Sequence, residues 1–135
     1  MKKLLAILVA SVLCLSMAAI AEETYTVGIC QLVQHPALDA ATQGFQDALT
    51  EKLGDAVTFD IQNASGDSNT CSTIVNGFVS NNVDLIMANA TPALQAAVAA
   101  TGDVPILGTS VTDYATALDI DDWTGATGKI GRAHV

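Results

Sequence analysis

Four short apolar runs recur along the chain, each followed by a segment with helical periodicity, at intervals of roughly 25–30 residues. The first, over residues 24–32, has the continuous apolar core Val27-Gly28-Ile29-Cys30, which predicts a strand covered on both faces. Pro36 favours the first position of a helix, because its missing N–H would have no partner there. Leu38, Ala41, Phe45, Ala48, Leu49 and Leu53 then form one apolar stripe, and Gly54-Asp55 closes the helix. Residues 57–62 behave differently. Val57, Phe59 and Ile61 alternate with Thr58, Asp60 and Gln62, which predicts a strand with one wet face at a sheet edge. Asp67 or Ser68 caps a second helix, with Cys71, Ile74, Val75, Phe78 and Val79 on one side, ending at Asn81-Asn82. Residues 83–88 are almost uniformly apolar and predict a central strand. Thr91-Pro92 opens a third helix to about residue 100, with Leu94, Ala97 and Val98 inward. A fourth strand over 105–108, a short helix over 114–118 and an exposed acidic loop over 119–122 complete the pattern.

Strand and helix alternate throughout, so the expected fold class is α/β: a parallel sheet between two helical layers, connected by right-handed crossovers. An edge position for the second strand and an internal one for the first give strand order 2-1-3-4(-5), the flavodoxin-like order. All strands of a parallel sheet point the same way. The turns after their carboxyl ends therefore gather at one rim, where ligands bind in open α/β sheets.

The composition suits this architecture: 135 residues, half of them hydrophobic, with only 4% aromatic. Charge narrows the function. From Glu22 to Gly128 a single base, Lys52, stands against all 14 acids, so nucleic-acid binding is excluded and no Lys or Arg side chain is available at the rim for an anionic group. Residues 1–21 carry Lys2 and Lys3, an apolar run and the small-x-small end Ala19-Ile20-Ala21, the pattern of a secretory signal peptide cleaved after Ala21. An extracytoplasmic location follows. The remaining cysteines, Cys30 and Cys71, read most simply as buried small hydrophobes, with a disulfide as the alternative. Together with one internal His they make no metal set, and no cofactor is expected.

The four turns present Gln31, Gln34 and His35, then Asn63, Ser65 and Asp67, then Asn89 and Thr91, then Thr109, Ser110, Thr112 and Asp113. Neutral donors and acceptors, helix amino termini and two carboxylates suit a zwitterion, and an amino acid is the simplest one. Each residue also has a plainer role. Asp67, Ser68, Thr91 and His35 are candidate helix caps, and Asn89 can satisfy turn N–H groups. No G-x-G-x-x-G follows the first strand, no phosphate-binding G-x-x-x-x-G-K-[ST] occurs, and Gly108-Thr109-Ser110-Val111-Thr112 is not a G-x-S-x-G nucleophile elbow. An enzyme is not expected.

VGICQLVQHPALDAATQGF, QNASGDSNTCSTIVNGF, VDLIMANATPALQAA and PILGTSVTDYATAL together resemble the amino-terminal lobe of ABC-transporter substrate-binding proteins, in the branch associated with tryptophan, tyrosine and related ligands. The resemblance implies a type I periplasmic-binding fold whose two lobes close on a small ligand, and a membrane permease as partner to a monomeric receptor. Carried onto this chain, the ligand-binding positions are Gln34, His35, Pro36, Asn63, Asn89, Thr91, Thr109 and Ser110; the zwitterion argument adds Asp113. The lobe is expected over 22–128. Residues 129–135, KIGRAHV, break the acidic composition and resemble a translated sequencing adapter, so they are expected to be a non-native tail. A sensor that presents its ligand to a membrane receptor, and a secreted α/β hydrolase, are the competing functions.

Overall fold

A computed structural model describes residues 23–120 and 130–132. The signal-peptide reading concerns residues outside that set. The elements are β1 (Tyr25–Gln31), α1 (Pro36–Leu53), a 3-10 turn (Gly54–Ala56), β2 (Val57–Asn63), α2 (Ser68–Ser80), β3 (Leu85–Asn89), α3 (Thr91–Ala100), β4 (Ile106–Thr109), α4 (Tyr114–Leu118) and β5 (Ile130–Arg132). All pairings are parallel and the sheet order is β2-β1-β3-β4-β5. This is the expected α/β fold with β2 at the edge. β5 falls within the segment that departs from the chain's composition, and pairs Ile130 with Ile106 and Arg132 with Gly108.

The two faces of the sheet are covered unequally. On one, Cys30, Ile86, Ala88 and Ile106 pack against Cys71, Ile74, Val75 and Phe78 of α2, Ala93, Leu94 and Ala97 of α3, and Tyr114 of α4. Gly28 permits this approach: a Cβ there would lie 2.6 Å from Phe78 ring atoms. On the other face, among the described residues, α1 alone covers a small cluster of Val27, Ile29, Val57 and Met87, joined by the half-buried Phe45, Leu49, Phe59 and Leu85. Alternation along β1 sends Gly28 and Cys30 to the α2 side and Val27, Ile29 and Gln31 to the α1 side.

Four side chains placed inward by periodicity are exposed: Ala48, Leu53, Ile61 and Val98, with Ile61 at 48%. The reason at Ile61 is local. The part of α1 nearest the end of β2 carries Asp39, Gln43 and Gln46, which line a cavity beside Ile61 instead of closing over it. The one buried residue of α1 is polar, Thr42.

Cys30 and Cys71 are buried, free thiols in the α2-side core. Burial, reinforced by the neighbouring Cys71, pushes the Cys30 thiol up to about 12, and burial likewise raises Cys71. Neither should react with iodoacetamide at pH 8 until the lobe unfolds, as mass spectrometry of native and denatured samples will show. The sign for stability is fixed by the same shift. Unfolded Cys30 loses its proton near the ordinary 9.0 while the folded lobe keeps it to about 12, so stability falls as pH rises past 9.

Candidate functional site

The carboxyl ends of four strands stop level with one another. Register aligns Asn63 of β2 with Gln31 of β1, Gln31 with Asn89 of β3, and Asn89 with Thr109 of β4. Four polar side chains thus form one row across the rim, facing the α1 side. The backbone ladder runs on into the turns, with Ala64 N–H donating to Gln31 O (2.9 Å), Leu32 N–H to Asn89 O (3.2 Å) and Ala90 N–H to Thr109 O (3.0 Å).

Beneath the rim the row is tied to α1. The Asn89 amide Nδ2 donates to Leu38 O at 2.8 Å and to Thr42 Oγ1 at 2.9 Å. Thr42 Oγ1 donates in turn to Gln31 Oε1 at 2.7 Å, and Gln31 Nε2 donates to Asp39 Oδ1 at 2.6 Å and Val33 O at 2.9 Å. This directional chain fixes the start of α1 against the ends of β1 and β3, and with them the first and third turns. Among the described residues, Asn89 Oδ1 and Thr109 Oγ1 are buried and have no hydrogen-bond partner. Their side chains are at 0% and 1% exposure, so both sit under the rim rather than on it. Thr42 and Asp39 were not candidates on sequence, because Thr42 lies within an otherwise apolar stripe and Asp39 in the acid-favouring first turn of a helix.

The helix starts differ in one respect. His35 Nδ1 accepts from Ala37 N–H (3.2 Å) and caps α1; Asp67 Oδ1 accepts from Asn69 and Thr70 N–H (2.6 and 3.1 Å) and caps α2; Asp113 caps α4, accepting from Ala115 N–H (3.0 Å) and Thr116 Oγ1 (2.7 Å). The Thr116 hydroxyl and the backbone N–H groups hold the Asp113 carboxyl below the usual carboxylate range. Among the described residues no side chain caps α3. Thr91, a cap candidate on sequence, is the first helical residue, and the cap position belongs to Ala90.

Each turn after β2, β3 and β4 holds a non-glycine residue at positive φ: Ser65 (54°), Ala90 (97°) and Ser110 (56°). Ala90, with ψ 160°, lies in a region that is essentially restricted to glycine, and such residues cost of order 1–3 kcal/mol. Ala90→Gly should therefore stabilise the lobe by about 1 kcal/mol after glycine's extra chain entropy is set against the relief. A rise of several degrees in the thermal midpoint is the expected reading.

Of the sequence-predicted positions, Gln34 and Asn63 meet in the cavity between α1 and β2, together with Gln31, Ser65, Asp39 and Thr42. His35 and Pro36 begin α1, Thr91 begins α3, and Ser110 and Asp113 occupy the fourth turn, all on the same edge of the sheet. Among the described residues no group of His, Cys, Asp and Glu is arranged to hold a metal ion.

The sequence profile of the ABC transporter substrate binding protein family matches residues 26–131. The chain belongs to this family. A tyrosine-binding protein from Clostridioides difficile is 50% identical over 90 residues, 64% of this chain and 26% of that protein. A conserved domain protein from Vibrio cholerae superimposes with a TM-score of 0.75 at 36% identity, over 81% of this chain and 38% of that one. An ABC domain from Streptococcus pneumonia in complex with L-Trp gives 0.74 at 34% identity, over 82% and 38%. A ligand-free, open substrate-binding protein with adhesive properties from Clostridium difficile gives 0.67 at 45% identity, over 70% and 33%. The chain thus spans about a quarter to two fifths of the length of these relatives, and its four turns lie within the residues that the family profile matches.

Proposed function

We propose that the rim is one wall of the ligand cleft of an extracytoplasmic receptor for an aromatic amino acid, acting with an ABC importer. The observation that carries this is the open amino terminus of α3. Among the described residues no side-chain cap takes its first N–H groups, the Thr91 hydroxyl stands on its first residue and the Ser110 hydroxyl in the fourth turn, and the chain enters it through Ala90 at positive φ. A carboxylate is stabilised at such a helix end without a cation. Asp113, kept ionised, answers the ammonium group from the fourth turn. Asn89 and Thr109 act from below, by holding the third and fourth turns in place. The tyrosine-binding relative and the structure with L-Trp supply the aromatic class. Binding without turnover, docking on a permease and removal of a leader near Ala21 belong to the same proposal. Sensing through a membrane receptor is the second reading, and gene neighbourhood separates the two, since an adjacent permease and ATPase favour import.

Titrating the isotopically labelled chain with L-tryptophan, L-tyrosine and glycine tests the site. Binding is expected to read as progressive shifts of the Thr91, Ala93 and Ser110 N–H signals with the aromatic amino acids. Rim signals that stay still with all three amino acids would refute the reading.

A further inference from the structure

The rim on the α1 side has no use for the two thiols on the opposite face of the sheet. Cys30 and Cys71 are both at 0% exposure and belong to one core cluster. Chain geometry brings them together. The Phe78 ring of α2 lies over Gly28 of β1. A helix that crosses between parallel strands runs antiparallel to them. One side-chain repeat along β1 leads from Gly28 to Cys30, and two turns back along α2 lead from Phe78 to Cys71, in the same direction. The second turn is tied to the end of β1 as well, with Ala64 N–H donating to Gln31 O (2.9 Å) and Gly66 N–H to Leu32 O (2.7 Å), so α2 starts directly beside that end. Each thiol is the hydrogen-bonding neighbour of the other. Among the described residues no group of His, Cys, Asp and Glu completes a metal set around them.

We infer that Cys30 and Cys71 are a cross-linking pair, joined by thiol–disulfide exchange while the chain folds into a buried bond between the end of β1 and the first turn of α2. The oxidant is a disulfide, either a small one of the glutathione type or that of an oxidoreductase. The thiolate of one cysteine attacks it, a mixed disulfide forms and one oxidant thiol leaves. The second cysteine attacks the chain's own sulfur in that bond and expels the other half. Two electrons pass to the oxidant, which departs as two thiols carrying the two protons. Exchange precedes the docking of α2, because in the folded lobe neither sulfur can be approached and burial keeps the Cys30 thiol protonated up to about 12. The same burial shields the finished bond from reductants. The bond closes the segment from 30 to 71, which carries α1, β2 and the first two turns, and so removes chain entropy from the unfolded state. An oxidant of this class is present outside the cytoplasmic membrane, so the occurrence of the bond in cells rests on the extracytoplasmic reading above. The geometry of the pair does not.

The test supplies the oxidant directly and is therefore independent of location. The full chain carrying Cys14→Ser, which leaves this pair as its only thiols, is unfolded with reductant and refolded in oxidised and reduced glutathione at pH 8. The product should be a monomer lighter by two hydrogens, with no alkylatable thiol even after denaturation and with one linked peptide pair holding both cysteines. Its thermal midpoint should lie roughly 15 °C above that of the reduced chain. Dithiothreitol should open the bond far more slowly in native buffer than in urea. Cys71→Ala, a small change in the core, should give the same midpoint from oxidising and reducing refolding. Two thiols that remain alkylatable after refolding, or that end only as glutathione adducts or intermolecular dimers, would overturn the inference. A linked chain that melts no higher than the reduced one, or whose bond is reduced equally fast in native buffer and in urea, would overturn it as well.

Discussion

Phe78→Ala should cost about 3–5 kcal/mol, the range for removing a fully buried aromatic ring. A lobe of this size has a total stability of about 5–10 kcal/mol, so most of it would be lost. The ring is at 0% exposure and touches the sheet where Gly28 gives it room. The reverse intrusion is equally informative. Gly28→Ala would set a methyl 2.6 Å from two ring atoms, and the ring sits at the centre of the α2-side core with nowhere to retreat. Overpacking of this kind costs about 1–3 kcal/mol. Phe78→Leu should partly rescue Gly28→Ala, because a smaller side chain vacates the contact. Urea melts of the two single variants and the double variant measure the coupling. Additive losses would mean that this contact does not set the spacing between α2 and the sheet.

Thr42→Val is the second large expected effect. The substitution keeps the shape and removes the hydroxyl that joins the Asn89 amide to the Gln31 carbonyl. Two buried polar groups then lose a partner, at about 1–3 kcal/mol each. Thr42→Ser keeps the hydroxyl and should recover most of the loss. The chain Asn89–Thr42–Gln31–Asp39 also fixes the first turn against the third, so Thr42→Val should weaken the rim response to L-tryptophan by more than Thr42→Ser does. Comparing urea midpoints with titration midpoints for the two variants separates stability from positioning. Equal ligand responses in both would leave the network a purely structural one.

Much of the architecture was legible from residue order. Continuous apolar character at Val27–Cys30 against alternation at 57–62 placed β1 inside and β2 at the edge, and the observed order β2-β1-β3-β4 has them there. Pro36 marked the first residue of α1, the pair Asp67 or Ser68 the cap of α2, which is Asp67, and residues 114–118 the short fourth helix. These are local signals, carried by the φ of a proline, the reach of a short carboxylate and a period of two or 3.6 residues. The gathering of the four turns at one rim then followed from the parallel sense of the strands. The family resemblance quoted from the same four turns agrees with the profile match over 26–131.

What each rim residue does was decided by tertiary structure. Register, which no period encodes, aligns Asn63, Gln31, Asn89 and Thr109 into one row and places Asn89 and Thr109 beneath the surface. Thr42 reads as a break in an apolar stripe until β1 and β3 bring Gln31 and Asn89 to either side of it. Ile61 obeys the alternation of its strand yet is exposed, because whether an inward face is covered depends on which side chains α1 brings over it. Sequence sets the conformational preferences of each segment. The partners that satisfy a buried polar atom, or leave a cavity open, exist only once distant segments are packed together.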